Sequence, residues 1–461
     1  MLTASYLTAA AAMIAAALYL FLRLRLYLTT TTMLLGSLLL VYGPASLSFT
    51  LSSGEYGHLI RPLLADVVVP PSMFPKMTSK VGDLGPVITA VNFSLSLMYL
   101  GLIVGIEIVN RWFPARAAAT EAALAGWSGR TAQDDMSDHR PLLVVVLALA
   151  VVMLVFSIGE NHIGMIRQFF AIKGDNTARD TFRAHFGGSP NYLYRVILAA
   201  VAPMFVIWGL LAGALNRSWP LLVAASLLLL VTTLGKVETL SKAPPAFFLL
   251  QIGLAALLTF TNRMSWKTAL VSAVVLALVI YVTTRLIIIF PPGMSPIETV
   301  YSRIFEVENE TLVENFAVFP RLQPFAWGAN IRPLAMLMGV PYVPSFSLVG
   351  SIWYGSPDIT SPTLFIADAW ADFSYAGVVV YSIVAGAVCR SIDLLFLSRG
   401  KSIVGIAVLA ATFWGVLTLI TTALNIALFS GGLLLAPVLA AMMVATARHL
   451  ARPDALGEPA R

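Results

Sequence analysis

Cysteine is almost missing from this chain. Cys389 is the only one, which excludes a disulfide within the chain and leaves it the reading of a small apolar residue near a helix end. Charge is scarce as well. Asp, Glu, Lys and Arg make up 11% of the residues and hydrophobic types 58%, whereas a soluble domain carries roughly 25% charged residues. A soluble globular fold is therefore excluded. Segments of short alternating hydrophobicity are absent, which excludes a membrane barrel. No concentrated basic face accompanies the net charge of +6, which excludes a nucleic-acid partner. The sequence has no P-loop, no GxSxG elbow, no HExxH and no DxD-like pair outside the apolar runs. His162 and His185 have no partner at metal-ligand spacing, so neither a metal nor a cofactor is expected. Met1 to Leu22 holds no Lys or Arg ahead of its apolar run and reads as a retained first helix rather than a signal peptide.

What is present is length after length of apolar sequence. Eleven segments qualify, near 2–22, 31–50, 87–108, 141–157, 192–214, 220–234, 244–260, 268–290, 363–388, 403–422 and 430–447. Helices are the spanning form expected, because lipid offers no partner to backbone N–H and C=O groups. The fold class is thus an all-α integral membrane protein of about eleven transmembrane helices, a single polytopic domain over 1–461. The sixth and seventh segments are short enough to tilt or re-enter.

Orientation follows from basic residues in short loops. With Arg23 and Arg25 inside, the other inside segments hold Arg111, Arg116, Arg130 and Arg140, then Arg217, Arg263 and Lys267, then Arg390, Arg399 and Lys401, and finally Arg448 and Arg452. The N-terminus then lies outside and the C-terminus in the cytoplasm. The inside stretch 110–140, rich in alanine and charge, reads as a poorly ordered linker. The outside keeps Arg61, Lys76, Lys80, Arg167, Lys173, Arg179, Arg183, Lys236 and Lys242 against the sorting bias. An anionic substrate approached from outside would explain that retention. So would ordinary solvated loops.

One segment outside the apolar runs is far larger than the rest. Residues 291–362 carry Arg303, Arg321 and Arg332, six acidic residues, and Trp327, Tyr342, Trp353 and Tyr354. Ser295-Pro296-Ile297-Glu298 has the pattern of a capping box with proline at the first helical position. Tyr301, Phe305, Leu312, Phe316 and Phe319 then fall near one face, and Glu306, Glu310 and Glu314 along another. This predicts a helix over 296–318 lying on the membrane surface. Arg303 either pairs with Glu306 within the helix or offers its guanidinium to an anion. The acidic residues do not converge as a hard cation requires. Past Pro320 the segment reads as turns, with Trp and Tyr suited to membrane anchoring or to pyranose rings.

The ninth apolar segment opens with Asp368 and Asp372, four apart on one face and one to two turns inside a spanning helix. A carboxylate there costs about 2–3 kcal/mol unless paired or hydrated, which makes both functional candidates. Arg285 either pairs with one of them or snorkels. Lys236, Glu238 and Lys242 form a second external polar cluster.

From Gly159 onward the order of features resembles the bacterial oligosaccharide repeat-unit polymerases, also called O-antigen or Wzy-type polymerases. The resemblance rests on the arginine-bearing loop ending Gly188-Ser-Pro-Asn-Tyr-Leu193, the Thr239-Leu-Ser-Lys242-Ala-Pro turn, and Arg303 in the large loop. It continues through Phe319-Pro-Arg321 to Gly328, then Phe365-Ile-Ala-Asp-Ala-Trp-Ala-Asp-Phe373 running to Gly377 and Gly386. It implies a glycosyltransferase that joins undecaprenyl-pyrophosphate-linked repeat units at the outer face of the inner membrane, without metal or nucleotide sugar. The implied partners are the lipid-linked oligosaccharide, membrane lipids and a chain-length regulator. By the same resemblance Lys242 and Arg303, with Arg321 or Arg332, neutralise the departing pyrophosphate, and Asp368 or Asp372 takes the proton of the attacking hydroxyl. Lys236, Arg183, Trp327 and Trp353 complete the expected substrate contacts. The related O-antigen ligases carry a histidine in the large loop, and this loop has none. A lipid-linked oligosaccharide flippase, a ligase-like transferase and a non-catalytic envelope scaffold are the competing readings.

Overall fold

In the computed structural model, placement is described for residues 1–53, 73–136, 138–172, 176–187, 189–241, 243–263, 265–287, 302–355 and 361–450. These residues are helical almost throughout. An isolated β-bridge joins Gln133 and Ser402. Nine helices among the described residues, from Leu2–Arg23 to Ile403–Thr421, are long and apolar enough to cross a membrane. The chain is an all-α, multi-pass membrane protein. The count is nine rather than eleven for two local reasons. The last expected span is the 16-residue helix Leu435–Leu450, shorter than a bilayer requires. The eighth stands as the helix Trp266–Ile287, whose side chains are described only in part. The sixth is not short: it runs Trp219–Glu238 and carries Lys236 and Glu238 in its last turn.

The chain divides into two compact units, each made of separated stretches of chain. The first comprises Met1–Pro114, Pro291–Ser391 and Val416–Ala427; the second comprises Ala115–Phe290, Ile392–Gly415 and Leu428–Arg461.

In the first unit the N-terminal helix Leu2–Leu18 lies along Gly85–Trp112, burying Ser5, Ala9, Ala12 and Ala16. Small side chains let helix backbones approach closely where lipid supplies no hydrophobic drive between helices. The same device joins Gly85–Trp112 to the helix Ile366–Leu397, since a Cβ on Gly105 would overlap the Ile383 carbonyl. Several buried polar groups inside this unit are paired across helices. Tyr42 donates to the Ile420 carbonyl at 2.9 Å, Tyr99 to that of Leu38 at 3.0 Å, and Arg390 Nε to Asn110 Oδ1 at 2.7 Å.

The helix expected on the membrane surface is instead inside this unit. It begins as a π-helical turn, Ser302–Glu306, and continues as Val307–Val318, with every residue from Asn309 to Val318 except Glu310 buried. The expected capping box at Ser295 lies outside the described residues. The two asparagine amides on this helix are buried with internal partners for their donors. Asn309 Nδ2 donates to the carbonyls of Val41 and Phe305 at 3.0 and 2.7 Å, and Asn315 Nδ2 to those of Thr311 and Ser361 at 2.8 and 3.3 Å.

In the second unit, Arg140–Gly159, Trp219–Glu238 and the run Tyr192–Leu215 pack together. Asn191 caps that run, its Oδ1 accepting from Tyr194 N at 3.1 Å. The stretch 110–140 is not a disordered linker. It contains the helix Pro114–Ala125 and then Trp127, fully buried, whose Nε1 donates to the Leu258 carbonyl at 2.8 Å. Lys401 Nζ bridges the Arg130 and Thr259 carbonyls at 2.9 and 2.7 Å, and burial lowers its pKa. An indole and an ammonium thus anchor a segment whose composition alone is linker-like.

Candidate functional site

Asp368 and Asp372 do not sit inside a spanning helix as expected. Ile366–Leu397 is broken at Phe373 (φ −134°, ψ 18°) and Ser374 (φ 54°, ψ −146°). The carboxylates therefore belong to a short helix, 366–372, and residues 375–397 form the membrane-length part. The chain folds back tightly at this break, where a Cβ on Gly377 would overlap the Ala369 carbonyl. Ser374 holds a backbone conformation that is almost reserved for glycine, a strain of about 1–3 kcal/mol that the surroundings must offset.

Those surroundings come from the large segment. The short helix ends with carbonyls that lack intrahelical partners. The turn after Phe325 supplies donors: Ala326 N to the Ala371 carbonyl at 2.8 Å and Trp327 N to that of Asp372 at 3.1 Å. The Asp372 carboxylate answers in reverse, its Oδ1 accepting from Gly328 N at 2.8 Å and Asn330 N at 3.4 Å. Its Oδ2 has no hydrogen-bond partner among the described residues. Asp368, one turn earlier, accepts from Ser345 Oγ. Tyr342, outside the apolar spans, is exposed at its edge, and partial burial together with nearby Asp368 raises its hydroxyl pKa. Both carboxylates are buried, Asp372 completely.

An aromatic group lines the other side of the short helix. Trp370 stacks on Phe316 at 4.7 Å, meets Phe325 and Tyr375 edge-on at 5.7 and 4.9 Å, and donates Nε1 to the Phe319 carbonyl at 3.0 Å. Trp327 meets Phe325 and Phe373 edge-on at 6.4 and 6.5 Å and is 67% exposed. Beside it the helix Arg332–Met338 and its continuation expose Leu334, Met336, Leu337, Met338, Val340 and Val343. Arg332 is exposed at the start of that helix.

Other expected contacts fall differently. Trp353 is fully buried, donating Nε1 to the Glu314 carbonyl at 3.2 Å, so it cannot present a stacking face to a sugar. Lys76 and Lys80 serve the structure: Lys76 donates to the Trp353 carbonyl, and Lys80 donates to that of Ile352 at 2.7 Å. They cap the helix Ser345–Tyr354 at its negative end. Arg321 is exposed, and its Nη1 reaches the Val81 and Asp83 carbonyls at 3.2 and 3.0 Å. Arg303 falls in the π-helical turn, and its side chain lies outside the described residues, as does Lys242.

The remaining candidates are in the second unit. Lys236 is buried, with its ammonium 5.2 Å from the Trp414 ring centroid, so it is not exposed for the substrate contact expected of it. Arg183 is exposed on the helix Asn176–Phe186. Arg285, for which snorkelling and pairing with an aspartate were the alternatives, donates its Nε to the Tyr281 hydroxyl on its own helix at 3.4 Å.

Two groupings escaped the sequence reading. The first is Glu314, taken as one member of an acidic row. It is fully buried and accepts from Ser361 Oγ at 2.5 Å and Tyr354 OH at 2.8 Å. Burial is the main cause that pushes its pKa up to about 7, with Glu310 adding to the rise; the two hydroxyls and Lys76 oppose it. Apolar residues on both sides of it, Val313 and Phe316, were the available signal. The second is Glu160, His162 and Glu238, whose ligand atoms lie within 4.8 Å of one another where the sequence showed no metal spacing. Glu238 is remote in sequence from the other two, and no spacing rule reaches it.

Compared with protein-family models, curated proteins and solved structures, the chain matches none.

Proposed function

We propose that this protein is a glycan polymerase that joins lipid-pyrophosphate-linked oligosaccharide repeat units at the outer face of a bacterial inner membrane, with its N-terminus outside and its C-terminus in the cytoplasm. The observation that carries the reading is the surround of Asp368 and Asp372. Two buried carboxylates stand at a helix break, walled by a turn that exposes Trp327, Arg332 and a run of apolar side chains. An isoprenoid pyrophosphate joined to a sugar needs those three surfaces together: apolar, cationic and aromatic.

In the reaction, a sugar hydroxyl of one repeat unit attacks the anomeric carbon of another. The new C–O glycosidic bond forms as the anomeric C–O bond to pyrophosphate breaks. The electron pair leaves with the lipid pyrophosphate, and the hydroxyl proton passes to Asp368 or Asp372. Arg332, with Arg303 and Arg321 from the same segment, offsets the charge that develops on the leaving group. Asp372 is already oriented by two backbone donors that fix one oxygen and leave the other for the proton.

The break at Phe373–Ser374 also favours a second reading, because transporters bind substrate at interrupted helices. Those interruptions fall near the bilayer midplane. Here residues 375–397 are long enough to span alone, so the break lies at the end of a span. The lipid-linked glycan profile of a deletion strain separates the two. Loss of a polymerase leaves single repeat units exposed on the outer leaflet. Retention of single units on the inner leaflet would establish the transporter instead.

A further inference from the structure

The second unit buries a mixed nitrogen and oxygen donor set that the polymerase reading does not use. Glu160 follows the helix Arg140–Gly159. Asn161 turns the chain in the left-handed region (φ 52°), and His162 opens the helix His162–Ala171. Glu238 arrives on the last turn of Trp219–Glu238. His162 Nε2 lies 3.1 Å from Glu160 Oε2 and 3.9 Å from Glu238 Oε1. Metal–ligand bonds near 2.1 Å in a tetrahedron set their donors about 3.4 Å apart. The two measured separations bracket that value.

Burial makes the set demanding. The side chains of His162 and Glu238 are wholly buried, and that of Glu160 is 23% exposed, which leaves one route in from solvent. Two carboxylates and one imidazole nitrogen that converge in this way form a donor set of the kind a divalent cation takes. An independent sign comes from Tyr194. It is fully buried, its ring lies 5.6 Å from that of His162, and its hydroxyl rests against Gly235, one turn before Glu238. That hydroxyl has no hydrogen-bond partner among the described residues. A buried phenol oxygen in that position suits an ion or its bound water. Glu160 is held from behind as metal-ligating carboxylates are: Ser189 Oγ donates to its other oxygen at 2.8 Å.

We propose that Glu160, His162 and Glu238 bind a divalent cation of the zinc class, which ties the turn after Arg140–Gly159 to the end of Trp219–Glu238. One imidazole among carboxylates favours zinc over calcium or magnesium, which take oxygen ligands in larger number. The test is a Zn²⁺ titration of the chelator-treated full-length protein in detergent, with metal content read by mass spectrometry and the thermal midpoint followed against free Zn²⁺. The expected result is one ion per chain and a midpoint that rises with Zn²⁺. Glu160→Gln, on the partly exposed ligand, should weaken binding at least tenfold, and His162→Gln should abolish it, while His185→Gln on an exposed helix leaves it unchanged. Absence of a stoichiometric ion in the unsubstituted protein overturns the site without reference to any variant. Equal binding by Glu160→Gln and His162→Gln overturns it too, by assigning the ion to the surface.

Discussion

The two units bury acidic groups in opposite ways. In the first, Asp368, Asp372 and Glu314 are each met by neutral donors: a serine hydroxyl, two backbone N–H groups, and a serine with a tyrosine. In the second, Glu160 and Glu238 face an imidazole nitrogen, and Ser189 donates to Glu160. Neutral donors orient a carboxylate and leave it able to take and return a proton. Carboxylates that converge on a nitrogen are arranged around positive charge. Burial of acid in a membrane protein therefore has more than one meaning, and the donors around each group separate proton chemistry from cation binding.

The largest expected effect is on the oriented pair. Asp368→Asn or Asp372→Asn should lower polymerisation by about 10²–10⁴-fold, the usual contribution of a positioned base, with helix content and expression retained. If only one of the two substitutions does so, the base is assigned to that residue. Activity unaffected by either, measured as glycan length on gels, breaks the contrast at its first term.

Glu314 offers a stability test of the same contrast. Its carboxyl titrates at about 7 in the folded chain against roughly 4.5 when exposed. The folded state thus binds the extra proton between those values, and stability is fully present below the lower one and declines as pH rises through 7. The decline is on the order of 3 kcal/mol. Thermal midpoints should fall between pH 5 and pH 8, and Glu314→Gln should remove that slope. A midpoint that rises over the same range would reverse the assigned cause.

Smaller still is the effect of relieving the break. Ser374→Gly should remove a backbone strain of about 1–3 kcal/mol, less the entropy cost of glycine, and raise the thermal midpoint by a few degrees. A lowered midpoint would mean that the serine itself holds the turn. Last comes Trp327→Ala. Because this side chain is 67% exposed, stability should stay within about 0.5 kcal/mol, while the apparent KM for the lipid-linked substrate rises severalfold. Unchanged KM would leave Trp327 as a membrane anchor alone.

Much of the architecture was legible in the sequence, because apolar length and the need to satisfy backbone groups in lipid leave few alternatives. The pairing of Asp368 with Asp372 was legible too, as a spacing of four. Their setting was not. Nothing local in Phe373-Ser374 announces a break; the break exists because the turn at 326–330 caps the short helix from another part of the chain. Val307–Val318 misled for a related reason. Three glutamates spaced by four look like a solvated face, yet Asn309 and Asn315 bond to internal carbonyls and Glu314 to two hydroxyls, so most of the helix is buried. Trp127 and Lys401 likewise organise the 110–140 stretch through contacts that composition does not encode. Each miss has one cause. Long-range hydrogen bonds decided what a local pattern left open.

The most direct measurement uses purified protein in a lipid bilayer with a lipid-pyrophosphate-linked repeat unit, comparing glycan length for the unsubstituted chain, Asp368→Asn and Asp372→Asn. A ladder of multiple repeats is expected with the unsubstituted protein, and single repeats only with the variant that lacks the base. A full ladder from both folded variants, or no ladder from the unsubstituted protein, would contradict the polymerase reading.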